Sequence, residues 1–217
     1  MNGTTINGSS TIIAEGVTGS IRANLKDGDN AMLLKREAFT SFDLQGRVSI
    51  KSGNGDDVVG IFGLEIDGKT KVNLKGGDDH FRFSNGRTRG LVVRTGDGND
   101  LAYLHNSDHL GVFNVRTQGG NDFVKSGFNE FHSRANTIKV GDGADLVDVS
   151  NSQFNTSRAP NLDGQAGDDG LYANFVFATG NRNKNFEFDL AIGEINASIE
   201  SHSGTDVYNE LFSHSGT

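Results

Sequence analysis

The sequence predicts an all-β solenoid, a right-handed parallel β-helix of about 22 residues per coil and about eight coils. Three observations predict it. The first is a Gly with an Asp two residues later, recurring as Gly55/Asp57, Gly77/Asp79, Gly98/Asp100, Gly120/Asp122, Gly143/Asp145 and Gly167/Asp169, with a weaker copy at Gly28 that has Asn30 in the Asp place. From Gly28 onward the gaps are 27, 22, 21, 22, 23 and 24 residues, and a fixed period of this length marks a solenoid or an array. The second is an alternating apolar pattern on both sides of that turn. Five residues before the Gly stand Ile50, Val72, Val93, Val115, Ile138 and Leu162; two after the Asp stand Val59, Phe81, Ala102, Val124, Val147 and Leu171. Period two on both flanks reads as strands with one buried face. The third is a polar position at the far end of the second strand: Asn85, Asn106 and Asn151, with Asn129 one place late. Asn tolerates the left-handed backbone of a tight bend, and its amide can bond a copy of itself one layer away.

Each coil therefore reads as strand, Asp-Gly turn, strand, Asn bend and a variable return. Stacking puts Ile50 over Val72 over Val93 and fills a continuous core. A β-propeller needs roughly twice this period for a blade, and a β-sandwich would not hold one Gly and one Asp in a single phase six times. Residues 1–20 form an N-terminal arm or half-coil, 21–175 the coils, and 176–217 a degenerate last coil with a C-terminal cap or docking segment. Within the coils, Ala23 takes the aliphatic slot of the first, and LKREAFTSF at 34–42 reads as a helix-like or loop insertion. Near the end, Phe188 and Gly193 keep the phase of an eighth coil whose Asp slot holds Ile195.

Composition narrows the chemistry. Thirty glycines suit repeated turns, and one proline argues against a proline-rich stalk. With no cysteine there is no disulfide, thiolate metal site or cysteine nucleophile. The net charge is −8 and no basic stripe is visible along the sequence, which argues against nucleic acid. No apolar run is long enough to span a membrane as a helix, and the first residues lack the basic and apolar regions of a signal peptide.

The candidate site is the Asp ladder. Stacked coils bring Asp57, Asp79, Asp100, Asp122, Asp145 and Asp169 within about 5 Å of one another in file, and Asp56, Asp78, Asp97, Asp142 and Asp168 stand beside them. Carboxylates that close repel and need an offset. Carboxylate and turn-carbonyl oxygens without Cys or a recurring His form a hard-cation set that suits Ca2+. The alternative is that each Asp caps backbone N–H groups of its own turn without a metal.

The turns TGDGNDLAYL (95–104), VGDGADLVDV (140–149) and SGNGDDVVGI (52–61) resemble the RTX, or haemolysin-type, calcium-binding repeat GGxGxDxUx. Gly96, Gly98 and Asp100 fall on its second Gly, its fourth-position Gly and its Asp, and Ala102 falls on the aliphatic U place. The resemblance covers 50–175. It implies Ca2+ held between coils by these Asp side chains and turn carbonyls, and export without an N-terminal signal. Here the period carries the motif once per coil, and the first Gly is usually replaced, as by Thr95 or Ser52. The Asn bends are similar to the asparagine ladders of pectate-lyase-type β-helices.

Three functions compete. An extracellular or cell-surface structural or matrix protein of bacterial type, assembling end to end into fibres as a homo-oligomer, follows from a solenoid with two open strand edges. A polysaccharide-binding or polysaccharide-modifying protein, lyase- or epimerase-like and acting on acidic polysaccharide, is the alternative. Its candidate bases (His80 with Arg82, His105 with His109, Lys125 with His132) are scattered over several coils, and a lone outward His is ordinarily a solvated face residue. An ice-binding face would need Thr at one outward phase, and Thr70, Thr88, Thr95, Thr117 and Thr137 do not share one. The reading is a non-enzymatic structural protein.

Overall fold

The computed structural model describes residues 17–36, 43–156, 160–174, 184–186, 188–192 and 200–201. Within them the chain has strands and no helix. The strands are β1 (Ile21–Asn24), β2 (Ala31–Lys35), β3 (Asp43–Leu44), β4 (Val48–Lys51), β5 (Val58–Phe62), β6 (Glu65–Gly76), β7 (His80–Ser84), β8 (Arg87–Asp97), β9 (Leu101–His105), β10 (Asp108–His109), β11 (Phe113–Gly119) and β12 (Phe123–Gly127). They continue as β13 (Glu130–Phe131), β14 (Asn136–Asp142), β15 (Leu146–Asp148), β16 (Gln153–Phe154), β17 (Asn161–Ala166), β18 (Gly170–Asn174), β19 (Lys184–Phe186), β20 (Phe188–Ile192) and β21 (Glu200–Ser201).

Two parallel sheets run the length of the stack. The first is ordered β1-β4-β6-β8-β11-β14-β17-β19-β21, and the second β2-β5-β7-β9-β12-β15-β18-β20. Each strand pairs with its counterpart one coil away, the arrangement of a parallel β-solenoid. There are about six turns of about 22 residues, fewer than the eight coils expected. β19, β20 and β21 continue the parallel pairing beyond them, while Gly193 and Ile195 lie outside the described residues, as do residues 1–16 of the expected arm and most of 176–217. The insertion expected at 34–42 begins as strand: Leu34 and Lys35 close β2, opposite Ile61 and Phe62. Residues 37–42 lie outside the description.

The register places the aliphatic slots as the periodicity requires. Ala23, Ile50, Val72, Val93, Val115, Ile138 and Leu162 are successive partners in the first sheet. Val59, Phe81, Ala102, Val124, Val147 and Leu171 are successive partners in the second. These two files face each other and, apart from the partly buried Ala23, are buried as one core. Ser126, in an otherwise apolar file, is kept by a local bond: Asn129 Nδ2 donates to its Oγ at 3.0 Å. Phe113, Phe131 and Phe154 form an aromatic end to the core with centroids 4.6 Å apart at each step, Phe113 edge-on to Phe131 and Phe131 stacked on Phe154. The threonines weighed for ice binding are largely inside, since Thr70, Thr88, Thr95 and Thr117 are all buried.

The glycine of the repeat is needed twice over. Gly98 has φ +132°, and a Cβ there would lie 2.1 Å from the Gly77 carbonyl oxygen of the preceding coil; Gly120 and Gly143 meet the Gly98 and Gly120 oxygens at 2.1 and 1.9 Å. The missing Cβ makes room for a carbonyl of the preceding coil. The bend at the other edge is looser. Asn85, Asn106 and Asn151 have φ of 53, 49 and 57°, and Asn106 Nδ2 donates to Asn85 Oδ1 at 2.9 Å. Gly63 (φ 64°) and Phe128 (φ 56°) hold the same bend in their coils. Asn129, one place later, is a buried inward residue, not a bend residue.

Gly98→Ala is expected to lower the unfolding free energy by about 3 kcal/mol or more, since it combines left-handed strain with a backbone clash. Gly63→Asn, in a bend with open space around it, should change it by less than about 1 kcal/mol. Urea unfolding of both variants checks the pair. A loss below about 1 kcal/mol for Gly98→Ala would refute the carbonyl-stacking account.

Candidate functional site

In a parallel sheet each backbone N–H finds a carbonyl on the next strand. At the Asp-Gly turn that supply fails for two consecutive residues of every coil, and side chains replace it. Oδ1 of each inner Asp accepts the N–H of the equivalent residue in the preceding coil: Asp79 from Asp57 at 2.8 Å, Asp100 from Asp79 at 2.9 Å, Asp122 from Asp100 at 2.8 Å, Asp145 from Asp122 at 2.7 Å and Asp169 from Asp145 at 3.0 Å. Asp57 accepts the N–H of Asn30 in the same way at 3.0 Å. The residue just before the inner Asp builds a second ladder in the opposite sense. Asp29 accepts from Asp56, Asp56 from Asp78, Asp78 from Asn99, Asn99 from Asn121 and Asn121 from Ala144. Capping is thus between coils, where the sequence suggested it within each turn.

The six inner Asp side chains are 0–3 % exposed. Burial pushes the Asp79, Asp100 and Asp145 carboxyls up to about 7, and Asp122 moves the same way. The N–H that each accepts pulls downward, as do the Thr95 hydroxyl beside Asp100 and the Thr117 hydroxyl beside Asp122. Asp79 has no such hydroxyl, because Leu74 stands in its coil where Thr95 stands in the next. The Oδ2 atoms of Asp57, Asp79, Asp100 and Asp122 are all buried without a hydrogen-bond partner.

The acids grouped by the sequence separate into three rows. Asp57, Asp79, Asp100, Asp122, Asp145 and Asp169 are inner. Asp56 and Asp78 belong to the exposed opposite ladder, and Asp168 is exposed in the same phase. Asp97 and Asp142 are exposed two coils apart, with Gly119 paired between them. Among the described residues no three acidic or imidazole side chains converge to hold a metal ion. Oδ1 of each inner Asp is committed to an N–H, as a ladder of caps requires.

The suggested bases are also placed. Lys125 pairs with Asp148 at 3.1 Å and His132 with Asp108 at 3.0 Å. The Arg82 guanidinium lies over the Phe62 and Tyr103 rings at 5.1 and 4.9 Å, and His105 stacks on Tyr103. His80 and Arg82 are exposed on the second sheet. His109 is not a solvated face residue: it is fully buried, stacked on Phe131 at 5.0 Å, and burial holds it neutral, with its pKa down at about 3.

Two features escaped the sequence reading. Asn99 and Asn121 extend the outer ladder, and the Asp/Asn recurrence one place before the inner Asp was their signal. The second is a basic row. At the outward phase four residues before the turn Gly, successive partners in the first sheet are Lys51, Asn73, Arg94, Arg116, Lys139 and Asp163. The expectation of no basic stripe is therefore corrected. The cations lie about 22 residues apart, and a search for linear basic runs passes over them. Comparisons with protein-family models, with curated proteins and with solved structures gave no match.

The Asp79, Asp100, Asp122 and Asp145 carboxyls carry folded pKa values above their unfolded one, so the native state binds more protons than the unfolded chain. Their favourable contribution is full below about pH 4 and is lost as pH rises through 7. His109 works in the opposite sense, losing stability as pH falls from 6.5 towards 3, and is constant above 6.5. Unfolding free energy in chelator is expected to fall between pH 6 and 8. Asp79→Asn should make that slope shallower by up to about 1.4 kcal/mol per pH unit. An unchanged slope in the variant would refute a proton on Asp79.

Proposed function

We propose that this protein is an extracellular structural or matrix element, a stiff non-catalytic solenoid rod that associates end to end. The observation that carries the reading is the continuous parallel pairing of two sheets along the stack, reinforced at the turns by the inner Asp ladder from Asp57 to Asp169 and the outer ladder from Asp29 to Asn121. Such a stack resists bending and shear because each coil is tied to both neighbours by sheet bonds and turn bonds. Among the described residues, β1 and β2 pair on one side only, with β4 and β5. Strand edges of this kind take up a further strand, and a head-to-tail contact that does not close extends into a filament. Asn30 puts an amide in the inner slot of the first coil: its Nδ2 donates to the Gly28 carbonyl and to Asp57 Oδ1. Placement outside the cell and Ca2+ binding rest on the resemblance of the turns to exported calcium-binding repeats.

Light scattering in chelator and then in excess calcium, followed by electron microscopy, tests the rod. Threads are the expected result, and a particle that stays monomeric at high concentration in both conditions overturns end-to-end association. Threads formed in calcium alone would make calcium the switch. The capping role is tested separately. Asp100→Ala leaves the Asp79 N–H buried without its acceptor and should cost about 1–3 kcal/mol equally in chelator and in calcium. A loss seen in calcium alone would show that the ladder serves to hold the ion.

A further inference from the structure

We propose that the outward face of the first sheet binds a linear acidic polysaccharide laid along the solenoid axis, with Lys51, Lys71, Arg94 and Arg116 pairing to its carboxylates. This goes beyond the rod and stands or falls independently of it. The chain has a net charge of −8, yet the stretches that carry these cations (48–51, 69–73, 91–94 and 113–116) contain no Asp or Glu; the acids of the same strands, Glu65, Asp67 and Asp97, stand towards the strand ends. Arg94 and Arg116 are direct partners in register and both are exposed. Like charges set directly opposite on a sheet destabilise it. Among the described residues none of these four cations is in an ion pair, whereas Arg87 and Arg89 at the start of β8 and Lys125 on the second sheet each have an acid. The row is closed at one end, where Asp163 takes Lys139 at 2.8 Å. What remains is a run of unneutralised positive charge over four coils, about 14 Å long at one coil per ~4.8 Å.

The geometry selects the partner. Lys51, Arg94 and Arg116 in one file, with Lys71 in the file beside it, set a row of cations along the axis that fits a linear polyanion. Arginine presents a planar fork that takes a carboxylate through two hydrogen bonds. A sugar ring in an extended chain advances by about one coil spacing, so successive uronate residues meet successive coils. The neighbouring file is Ser49, Lys71, Val92, Asn114, Thr137 and Asn161, mostly small polar groups that can bond sugar hydroxyls. No aromatic side chain lies on this face among the described residues, although single-stranded nucleic acid is held by stacking of its bases on aromatic rings. That favours the polysaccharide over nucleic acid.

Titration calorimetry with polygalacturonate oligomers, using the full chain at low salt, tests the proposal. Neutral dextran and single-stranded DNA serve as comparison ligands. Polygalacturonate is expected to bind with an affinity that falls as salt rises, and dextran not to bind. Arg94→Gln with Arg116→Gln should weaken binding at least ten-fold while leaving circular dichroism unchanged and the thermal unfolding midpoint no lower than that of the parent. Arg82→Gln, on the second sheet, should leave binding unchanged. The proposal is overturned if polygalacturonate does not bind, if the double variant binds as well as the parent while folded, or if DNA binds as tightly as the polysaccharide.

Discussion

Everything in this chain depends on the bond from a backbone N–H in one turn to a buried carboxyl in the next. Parallel strands hold themselves together through their own peptide groups, but the turn between them interrupts that supply. The inner Asp takes the N–H from the coil before it, and the outer Asp or Asn takes the N–H from the coil after it. Two adjacent residues are therefore tied in opposite directions, which locks each turn against sliding along the axis. The stacked glycines follow from this lock, because coils held in that register bring one carbonyl into the space where the next residue's Cβ would be.

The lock has an electrostatic cost, and the surface pattern is arranged around it. Many of the chain's acids are drawn into the turns, as inner caps or as members of the exposed rows beside them. Their removal from the sheet faces leaves those faces free to carry other chemistry. On the second sheet Arg82 lies between two aromatic rings and Lys125 lies against Asp148. On the first sheet Arg87, Arg89 and Lys139 each have an acid, but Arg94 and Arg116 do not. These two face solvent side by side, four residues ahead of the turn Gly. One ladder thus explains both the negative edge and the positive face of the same rod.

The fold was largely legible because a solenoid writes its geometry as a period. Ile50, Val72 and Val93 share a phase in the sequence and a register in the sheet. What escaped was what period alone does not carry. Asn129 looked like a displaced bend residue, yet its amide is spent inside, on Ser126 and on the Leu104 carbonyl. His109 looked like a surface histidine, because an aromatic cage built from Phe113 and Phe131 of other strands has no trace in its own neighbourhood of sequence. The direction of capping was likewise hidden, since an Asp beside a Gly reads the same whether it bonds its own turn or the one before.

The two ladders also show why the inner row keeps Asp while the outer row accepts Asn99 and Asn121. Both positions need one acceptor oxygen, and an amide supplies that as well as a carboxyl does. They differ in the second atom. On the exposed outer row an amide nitrogen has water for its two N–H groups. On the inner row the second atom is buried, beside Leu74 in one coil and Thr95 in the next, where two added donors would find few acceptors. A carboxyl avoids that cost: it can hold one proton, or accept from a threonine hydroxyl. Asn30 is the exception that fits the rule, because in its coil the Gly28 carbonyl and Asp57 Oδ1 stand ready to accept from the amide. The recurrence of Asp therefore follows from the hydrogen-bond capacity of a buried site, and that requirement holds whether or not an ion is ever bound at the turn.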